Sequence, residues 1–225
     1  VLGIEPVREA SAWEGDASQV DSHSKADIVR RLLDQATQHV EIHKLFADRE
    51  FDAMEVRDVI DRHDITYLIP RPVYAADLDN IENIEAHPLA DVAVERAVSL
   101  SVHDRTHELS FMYVPSTEED GKYAVFTTNR DVTPDQAMGL TTQYSHRWQI
   151  ESEYKTIKHH FLPTAASTDY RVRLLYFTLG VVMYNVWRLT NLLVREALSV
   201  NLGAKPPLRA GEVVELVGFC LTPPD

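Results

Sequence analysis

The chain has little cysteine and little lysine, and both scarcities narrow what it can do. Cys220 is the single cysteine among 225 residues, which excludes an intrachain disulfide and a cysteine-based zinc site. Lysine supplies six of the 22 cationic side chains, against 35 carboxylates, so the formal net charge is −13. This acidity argues against nucleic-acid binding by bulk charge, although a local basic track could still bind. Few lysines beside many carboxylates indicate adaptation to high salt, with an ordinary acidic cytosolic protein as the alternative.

Long apolar runs are also missing. The longest, residues 174–187, contains 14 residues, fewer than the ~20 that a membrane span needs, so we predict a buried helix there and no membrane partner. The chain shows no phosphate-binding loop, no glycine-rich dinucleotide fingerprint and no G-x-S-x-G. No signal peptide is visible at Val1, and the single cysteine fits a reducing compartment, so we expect a cytoplasmic protein.

Apolar periodicity predicts an α/β protein. Strand and helix patterns alternate through residues 1–72, which is typical of a sheet flanked by helices. Three further strands are predicted in 73–132, and two long helices follow. The first helix is predicted to begin after the N-cap Thr133, with Pro134 at its first position, and to end at Pro163. Gly139 could break it into two pieces.

A polar pattern in the first of these helices is the most informative feature of the chain. Tyr144, Arg147, Glu151 and Lys158 stand at offsets 0, +3, +7 and +14. On an unbroken α-helix these offsets fall within roughly 60° of arc, and so form one stripe. Two cations, a carboxylate and a phenol suit a surface that binds phosphates and holds a metal ion. A solvated helix face with ordinary charges is the alternative.

The spacing Tyr144-x2-Arg147-x3-Glu151-x6-Lys158 resembles the Y-x2-R-x3-E-x6-K signature of DDE transposases of the insertion-sequence-four type. All four positions match. The resemblance implies a ribonuclease-H-like mixed sheet flanked by helices, with a β-rich insertion before the glutamate-bearing helix. It also implies that Glu151 is catalytic and that the other three side chains contact DNA phosphates.

Asp48 is the second candidate carboxylate. It follows an apolar run that predicts a strand over 41–47, and catalytic groups of α/β sheets commonly lie at such strand ends. The segment around Asp48 resembles the Asp-Arg-Gly-Phe-like segment of the family, with Glu50 in place of the glycine. Asp48 could instead cap the next helix, although Asp52 is equally placed to do so.

The family site needs three carboxylates, and the first lies on an earlier strand. Residues 1–7 read as a strand already inside the fold, and Val1 is not a methionine. We therefore expect a carboxyl-terminal fragment, inactive alone, whose first catalytic aspartate lies upstream. Asp16 and Asp21 are the only acidic candidates in the early loop and lack strand context.

The resemblance implies a DNA transposase that uses Mg²⁺ or Mn²⁺, held by Asp48 and Glu151, to cleave and join DNA, and the acidic, lysine-poor composition indicates a halophilic archaeon as its source. Its partner would be transposon-end DNA, and a homodimer in a synaptic complex is compatible with it. A ribonuclease-H-like nuclease and a non-catalytic remnant are the alternatives. The expected division is 1–72, a partial catalytic core; 73–132, the insertion; 133–200, helices completing the core; and 201–225, a tail.

Two weaker patterns point to no ligand site. His103 and His107 have helical metal-ligand spacing but lie in a strand-like region without a third ligand. Trp148 and Trp187 are predicted to be core residues and not platforms for stacking bases.

Overall fold

A computed structural model describes residues 1–5, 24–87, 91–117, 122–164, 167–199, 201 and 205–221. The candidates Asp16 and Asp21 therefore lie outside the described residues. The helices are α1 (Lys25–Ala36), α2 (Met54–Arg62), α3 (Leu78–Glu85), α4 (Pro134–Ser145), α5 (Trp148–Thr156), α6 (Tyr170–Leu198) and α7 (Ala210–Leu221). The strands are β1 (Lys44–Phe46), β2 (Thr66–Arg71), β3 (Ala93–Val102), β4 (Arg105–Pro115) and β5 (Tyr123–Thr128).

Contacts along the chain divide it into two compact units. Among the described residues, the sheet unit comprises 2–5 and 24–147, and the helical unit comprises residue 1 and 148–221. No helix in the part of the chain that the structure describes is long and apolar enough to cross a membrane.

The sheet unit contains one five-stranded mixed sheet in the order β1-β2-β5-β4-β3. β1 and β2 are parallel and are joined through α2, whereas the other neighbouring pairs are antiparallel. A parallel pair needs such a crossover. β3, β4 and β5 follow each other along the chain through short connections, whereas β2 pairs with β5 across the intervening β3 and β4. The predicted fold class, a mixed α/β sheet flanked by helices, is confirmed.

Helices cover both faces of this sheet. Leu109, Phe111 and Tyr113 of β4 pack with residues of α1, α2 and α3, whereas Met112 and Val114 pack with α4. Alternate side chains of a strand point to opposite faces, so a strand covered on both faces is buried throughout. β4 is accordingly buried without interruption from Leu109 to Val114, which makes it the centre of the core.

Most of the predicted helices and strands agree with these bounds, but the strand at residues 1–7 and the possible helix break at Gly139 do not. No strand forms at residues 1–5, and residues 6–7 lie outside the described part. Gly139 lies within α4, whose predicted cap at Thr133 does form, and the helix is interrupted instead at His146–Arg147. The strands predicted for 73–132 join the same sheet as β1 and β2. The four-part domain division stays a prediction.

A charged network ties α2 to β4 inside the sheet unit. Asp58 accepts hydrogen bonds from Arg62 at 2.8 Å and Arg105 at 2.6 Å. The buried ring of His107 lies between two carboxylates, with Nδ1 2.6 Å from Asp61 Oδ2 and Nε2 3.4 Å from Asp58 Oδ1. Nδ1 is thus engaged by Asp61, whereas Nε2 lies within ion-pair range of Asp58 without a hydrogen bond. The buried ring faces protein carboxylates, so the spacing of His103 and His107 does not mark a metal pair.

This network predicts an acid-sensitive contribution to stability. Burial alone would raise the pKa of the Asp58 carboxyl, but Arg62, Arg105 and His107 lower that pKa overall. A carboxyl whose pKa is lowered on folding stabilises the fold above its ordinary value near ~4, and this contribution is lost as pH falls through the lowered value. The urea midpoint should therefore fall on acidification below that range, and Asp58→Asn should fall less steeply. Asp135→Asn, at an exposed position of α4, should keep the wild-type slope; equal slopes in all three proteins would contradict the assignment.

Candidate active site and nucleic-acid interface

Asp48 lies immediately beyond β1, where the chain makes a single 3-10 turn, Arg49–Phe51. Its Oδ1 accepts a hydrogen bond from the Arg49 amide at 2.7 Å, which caps this turn. The helix α2 begins later, after Ala53, and has no side-chain cap. Asp52 does not cap it either, because it is buried in an ion pair with Arg57. Asp48 therefore caps the short turn and not the next helix, and its side chain stays 54% exposed.

Tyr144, in the last turn of α4, packs over the same end of β1. Its ring makes edge contacts with Phe46 and Phe126, at centroid distances of 6.0 and 5.1 Å. Its hydroxyl donates to the Ala47 carbonyl oxygen at 3.3 Å. Burial raises the pKa of the Tyr144 phenol, and the Asp48 carboxylate adds to that rise while Arg147 opposes it. The phenol is therefore held protonated, as a hydrogen-bond donor beside Asp48.

Arg147 completes this group from the turn that follows α4. Its Nη1 lies 3.6 Å from Asp48 Oδ2, and its guanidinium carbon lies 5.4 Å from the Tyr144 ring centroid. The side chain is only 16% exposed, so the cation is held in place by its surroundings. Three of the five predicted site residues thus meet at the carboxyl end of β1, although Asp48 precedes Tyr144 by 96 positions in the sequence.

Lys44 belongs to the same neighbourhood, and the sequence analysis did not single it out. Its Nζ donates to Gln143 Oε1 at 2.7 Å and lies 6.0 Å from the Phe46 ring centroid. The two-residue period of a strand could have indicated it, because Lys44 and Phe46 share a face of β1 and Phe46 contacts Tyr144. Lys44 thus adds a cation beside the last turn of α4.

Glu151 and Lys158 belong to the helical unit. Glu151 is half-buried in the first turn of α5, and Lys158 is exposed in a π-helical turn, Ile157–Phe161, that follows α5. The unbroken α-helix assumed for the stripe is therefore interrupted at two points, at His146–Arg147 and at this π-helical turn. The angular stripe calculated for an ideal helix does not apply, and the convergence of Asp48 with Glu151 stays a prediction.

The π-helical turn is fixed against α6 by a close approach. A Cβ at Gly180 would lie 3.2 Å from the Phe161 carbonyl oxygen, tighter than ordinary contact, so glycine suits this position. The Phe161 ring also contacts those of Tyr184 and Trp187. This packing determines where Lys158 is held within the helical unit.

Exposed cations are frequent in the same unit. They are Lys155, Lys158, His159, His160, Arg171 and Arg173. Trp148 is 58% exposed on α5, one turn before Glu151, so its assignment to the core was wrong. Trp187 is half-buried and donates to the Leu208 carbonyl oxygen at 2.9 Å. Exposed basic side chains and an exposed aromatic ring thus occur in this unit despite the acidic composition.

The carboxylates present suit a hard divalent ion. The Asp48 side chain is 54% exposed, with its Oδ2 3.6 Å from Arg147 Nη1, so the carboxylate is accessible as an oxygen ligand. Within the described ranges, no group of three or more histidine, cysteine, aspartate or glutamate side chains is gathered closely enough to hold a metal. Asp48 therefore fits as one ligand, and Glu151 is the second that the sequence predicts.

Comparisons with known proteins agree with this picture. A family model described as "Transposase DDE domain" matches residues 19–185. The fold is similar to that in the cryo-EM structure of the piggyBac transposase synaptic complex with hairpin DNA, with a TM-score of 0.54 at 10% sequence identity. The similarity covers 91% of this chain and 41% of that chain, so this chain spans less than half the length of that protein. No curated protein sequence matches the chain.

Proposed function

Because the chain belongs to the transposase DDE domain family, we propose that it is a catalytic domain that cleaves and joins DNA in transposition. The observation that carries this proposal is the meeting of Asp48, Tyr144 and Arg147 at the carboxyl end of β1. An ordinary solvated helix face would not place its arginine, largely buried, beside an exposed carboxylate from a distant strand. The matching spacing supports assignment to the insertion-sequence-four type.

Asp48 and Glu151 are the proposed metal ligands. The family generally uses a divalent metal ion, and the carboxylate donors of this chain favour Mg²⁺ or Mn²⁺. When bound, such ions activate an attacking oxygen and stabilise the leaving one in phosphoryl transfer. Asp48 is prepared for this role by its cap hydrogen bond, which orients one oxygen and leaves the other accessible.

Arg147, Tyr144 and Lys158 are the proposed phosphate contacts. A guanidinium can engage a phosphate through two parallel hydrogen bonds, and Arg147 is already oriented by Asp48 and by the ring of Tyr144. The Tyr144 hydroxyl lies at the same place, where it donates its single proton to the Ala47 carbonyl oxygen, so a contact with phosphate would replace that hydrogen bond. A phosphate held here would lie next to the carboxylate that binds the metal.

The overall negative charge of the chain opposes DNA binding, so the individual contacts between cations and phosphates matter more. The net charge of −13 repels a polyanion, so affinity must come from the few cations that face the DNA. The scarcity of lysine is compatible with a halophilic source, where the counterion-release contribution is weaker. A nuclease of related fold would have no need for the Tyr144–Arg147 pair, so it ranks below the transposase.

The partners of the proposed enzyme are transposon-end DNA and a second copy of the chain. The similar solved structure is a transposase in a synaptic complex with hairpin DNA, which supports DNA as a partner of this chain. Pairing of two copies is part of the same proposal, as is a location in the cytoplasm.

Arg147→Ala and Lys158→Ala should each weaken binding to transposon-end DNA. Each lost phosphate contact should reduce the slope of log affinity against log salt by about 0.9. Fluorescence anisotropy over a series of salt concentrations measures both quantities. Arg30→Ala is the matched control, because Arg30 is an exposed cation of α1 paired with Asp27 at 2.8 Å. If both site variants keep the wild-type affinity and slope, these residues belong to a solvated face.

A further inference from the structure

One face of α6 is apolar and exposed along most of its length. It is formed by six side chains, each 45–56% exposed, and we call it the α6 seam: Leu175, Leu179, Val182, Val186, Leu189 and Leu193. They follow each other at spacings of 4, 3, 4, 3 and 4 residues. This is the a/d repeat of helices that pair along their length, sustained over nearly three heptads.

The opposite face of α6 is already used within the helical unit. Gly180, Tyr184 and Asn191 are buried there, and Asn191 exchanges hydrogen bonds with the backbone of Leu208. A helix that is hydrophobic all round is normally buried on all sides. The sequence predicted a buried helix here, and that prediction holds for one face only. The side chains of the seam, by contrast, stay about half-exposed.

The residues beside the seam carry no charge. The flanking e and g positions are Tyr176, Thr178, Met183, Asn185, Thr190 and Leu192. In coiled coils these positions usually hold the charges that select a different partner or repel an identical one. A neutral strip in a chain of net charge −13 is therefore suited to a surface of the same kind. An identical helix supplies such a surface without repulsion between charged side chains at these positions; the Val1 ammonium, which donates to Asn185 Oδ1 at 2.8 Å, lies beside the strip.

The seam is also symmetric about its midpoint, Tyr184. Its order, Leu-Leu-Val-Val-Leu-Leu, reads the same in both directions, and so does its spacing. Two copies related by a two-fold axis near Tyr184 would place Leu175 against Leu193 of the other copy, Leu179 against Leu189, and Val182 against Val186. Every layer then joins side chains of equal size. The antiparallel arrangement also brings the opposite ends of the helix dipoles together.

The exposed area meets the lower limit for a specific interface. Six half-exposed Leu and Val residues present about 500 Å² per copy, or about 1,000 Å² for a pair, which is near the minimum for a specific protein interface. We propose that the α6 seam is the surface through which two copies of this chain pair, with the α6 helices antiparallel. The inference rests on the pairing of copies in the proposed function, and not on the assignment of the catalytic residues.

Sedimentation velocity of the full 225-residue chain tests the pairing. The wild-type protein should form dimers, and Leu179→Glu should weaken them at least about 100-fold, because two-fold symmetry places the buried charge in the interface twice. Leu78→Glu, on α3, is the matched control: Leu78 is 49% exposed, as Leu179 is, and lies outside the seam. A monomeric wild-type protein, or an unchanged Leu179→Glu dimer, would overturn the proposal. Glu151→Gln should still pair, which separates this test from a failure of the catalytic assignment.

Cysteine cross-linking tests the arrangement without disturbing the fold. In a Cys220→Ser background, Leu179→Cys and Leu189→Cys should form a disulfide when the two variants are mixed with oxidised glutathione. Each variant alone should cross-link far less. Preferential cross-linking of each variant with itself would indicate parallel helices and overturn the antiparallel assignment. Absence of any cross-link would show that the chain itself covers the seam.

Discussion

Glu151→Gln is expected to abolish metal-dependent cleavage of transposon ends while leaving DNA affinity within about two-fold of wild type. Glutamine keeps the shape of the side chain but removes the charge that would hold the ion. Losing stabilisation of several kcal/mol at the reacting phosphate corresponds to a fall in rate of about 10³-fold or more. Asp48→Asn should behave in the same way. Strand-cleavage assays in Mg²⁺, on a polypeptide competent for cleavage, give the rates.

A second readout does not depend on cleavage of DNA. Fe²⁺ with ascorbate cuts a polypeptide near bound metal, so the 225-residue chain should be cut close to residues 48 and 151, and Asp48→Asn should reduce both cuts. Glu153→Gln is the matched control, because Glu153 lies on the same helix and pairs with Arg188 at 2.9 Å. Cuts that are unchanged in Asp48→Asn would refute Asp48 as a metal ligand.

The second large effect is expected on stability, from a buried ion pair within the sheet unit. Asp77 is 2% exposed, and its carboxylate accepts hydrogen bonds from Arg71, at 2.8 and 2.9 Å, from the Tyr74 amide and from the Tyr113 hydroxyl. Asp77→Ala leaves the Arg71 cation buried without this partner. Removing one partner of such a pair costs about 3–5 kcal/mol, a large part of the stability of a typical domain.

Urea unfolding followed by circular dichroism measures this loss. Asp79→Ala is the matched control, since Asp79 is an exposed aspartate two positions along α3 and its removal should cost less than about 0.5 kcal/mol. Should Asp77→Ala and Asp79→Ala unfold at the same midpoint, the buried pair would contribute nothing net.

The sheet could be predicted from the sequence because its signals are local. Apolar alternation predicted β4 and β5 close to their observed positions in the sequence, and Thr133 and Pro134 predicted where α4 begins. Asp48 was found because a strand end and a motif coincide there. These inferences need only neighbouring residues, and each element's own pattern is sufficient for them.

The geometry of the site could not be predicted in the same way. The contact of Arg147 with Asp48 depends on the interruption at His146–Arg147, for which the sequence offers no glycine or proline. Similarly, the π-helical turn at Lys158 depends on packing against α6 and not on local propensity. Spacing arguments assume a regular helix, so the arrangement that they gave does not apply, and the roles of these residues stay predictions. The strand predicted at residues 1–5 failed because an apolar run alone does not provide a pairing partner.

The close approach at Gly180 has a consequence for how DNA recognition could change during evolution. Gly180 lies against the backbone of the turn that holds Lys158, yet it is distant from Lys158 in sequence and has no side chain to offer to a ligand. A methyl group there must displace that backbone by a few tenths of an ångström. Screens for variants with altered preference among transposon ends should therefore recover substitutions at Gly180, at a position that no inspection of charged residues would select. A substitution at Gly180 could therefore alter the DNA preference of the basic surface while every cation stays unchanged.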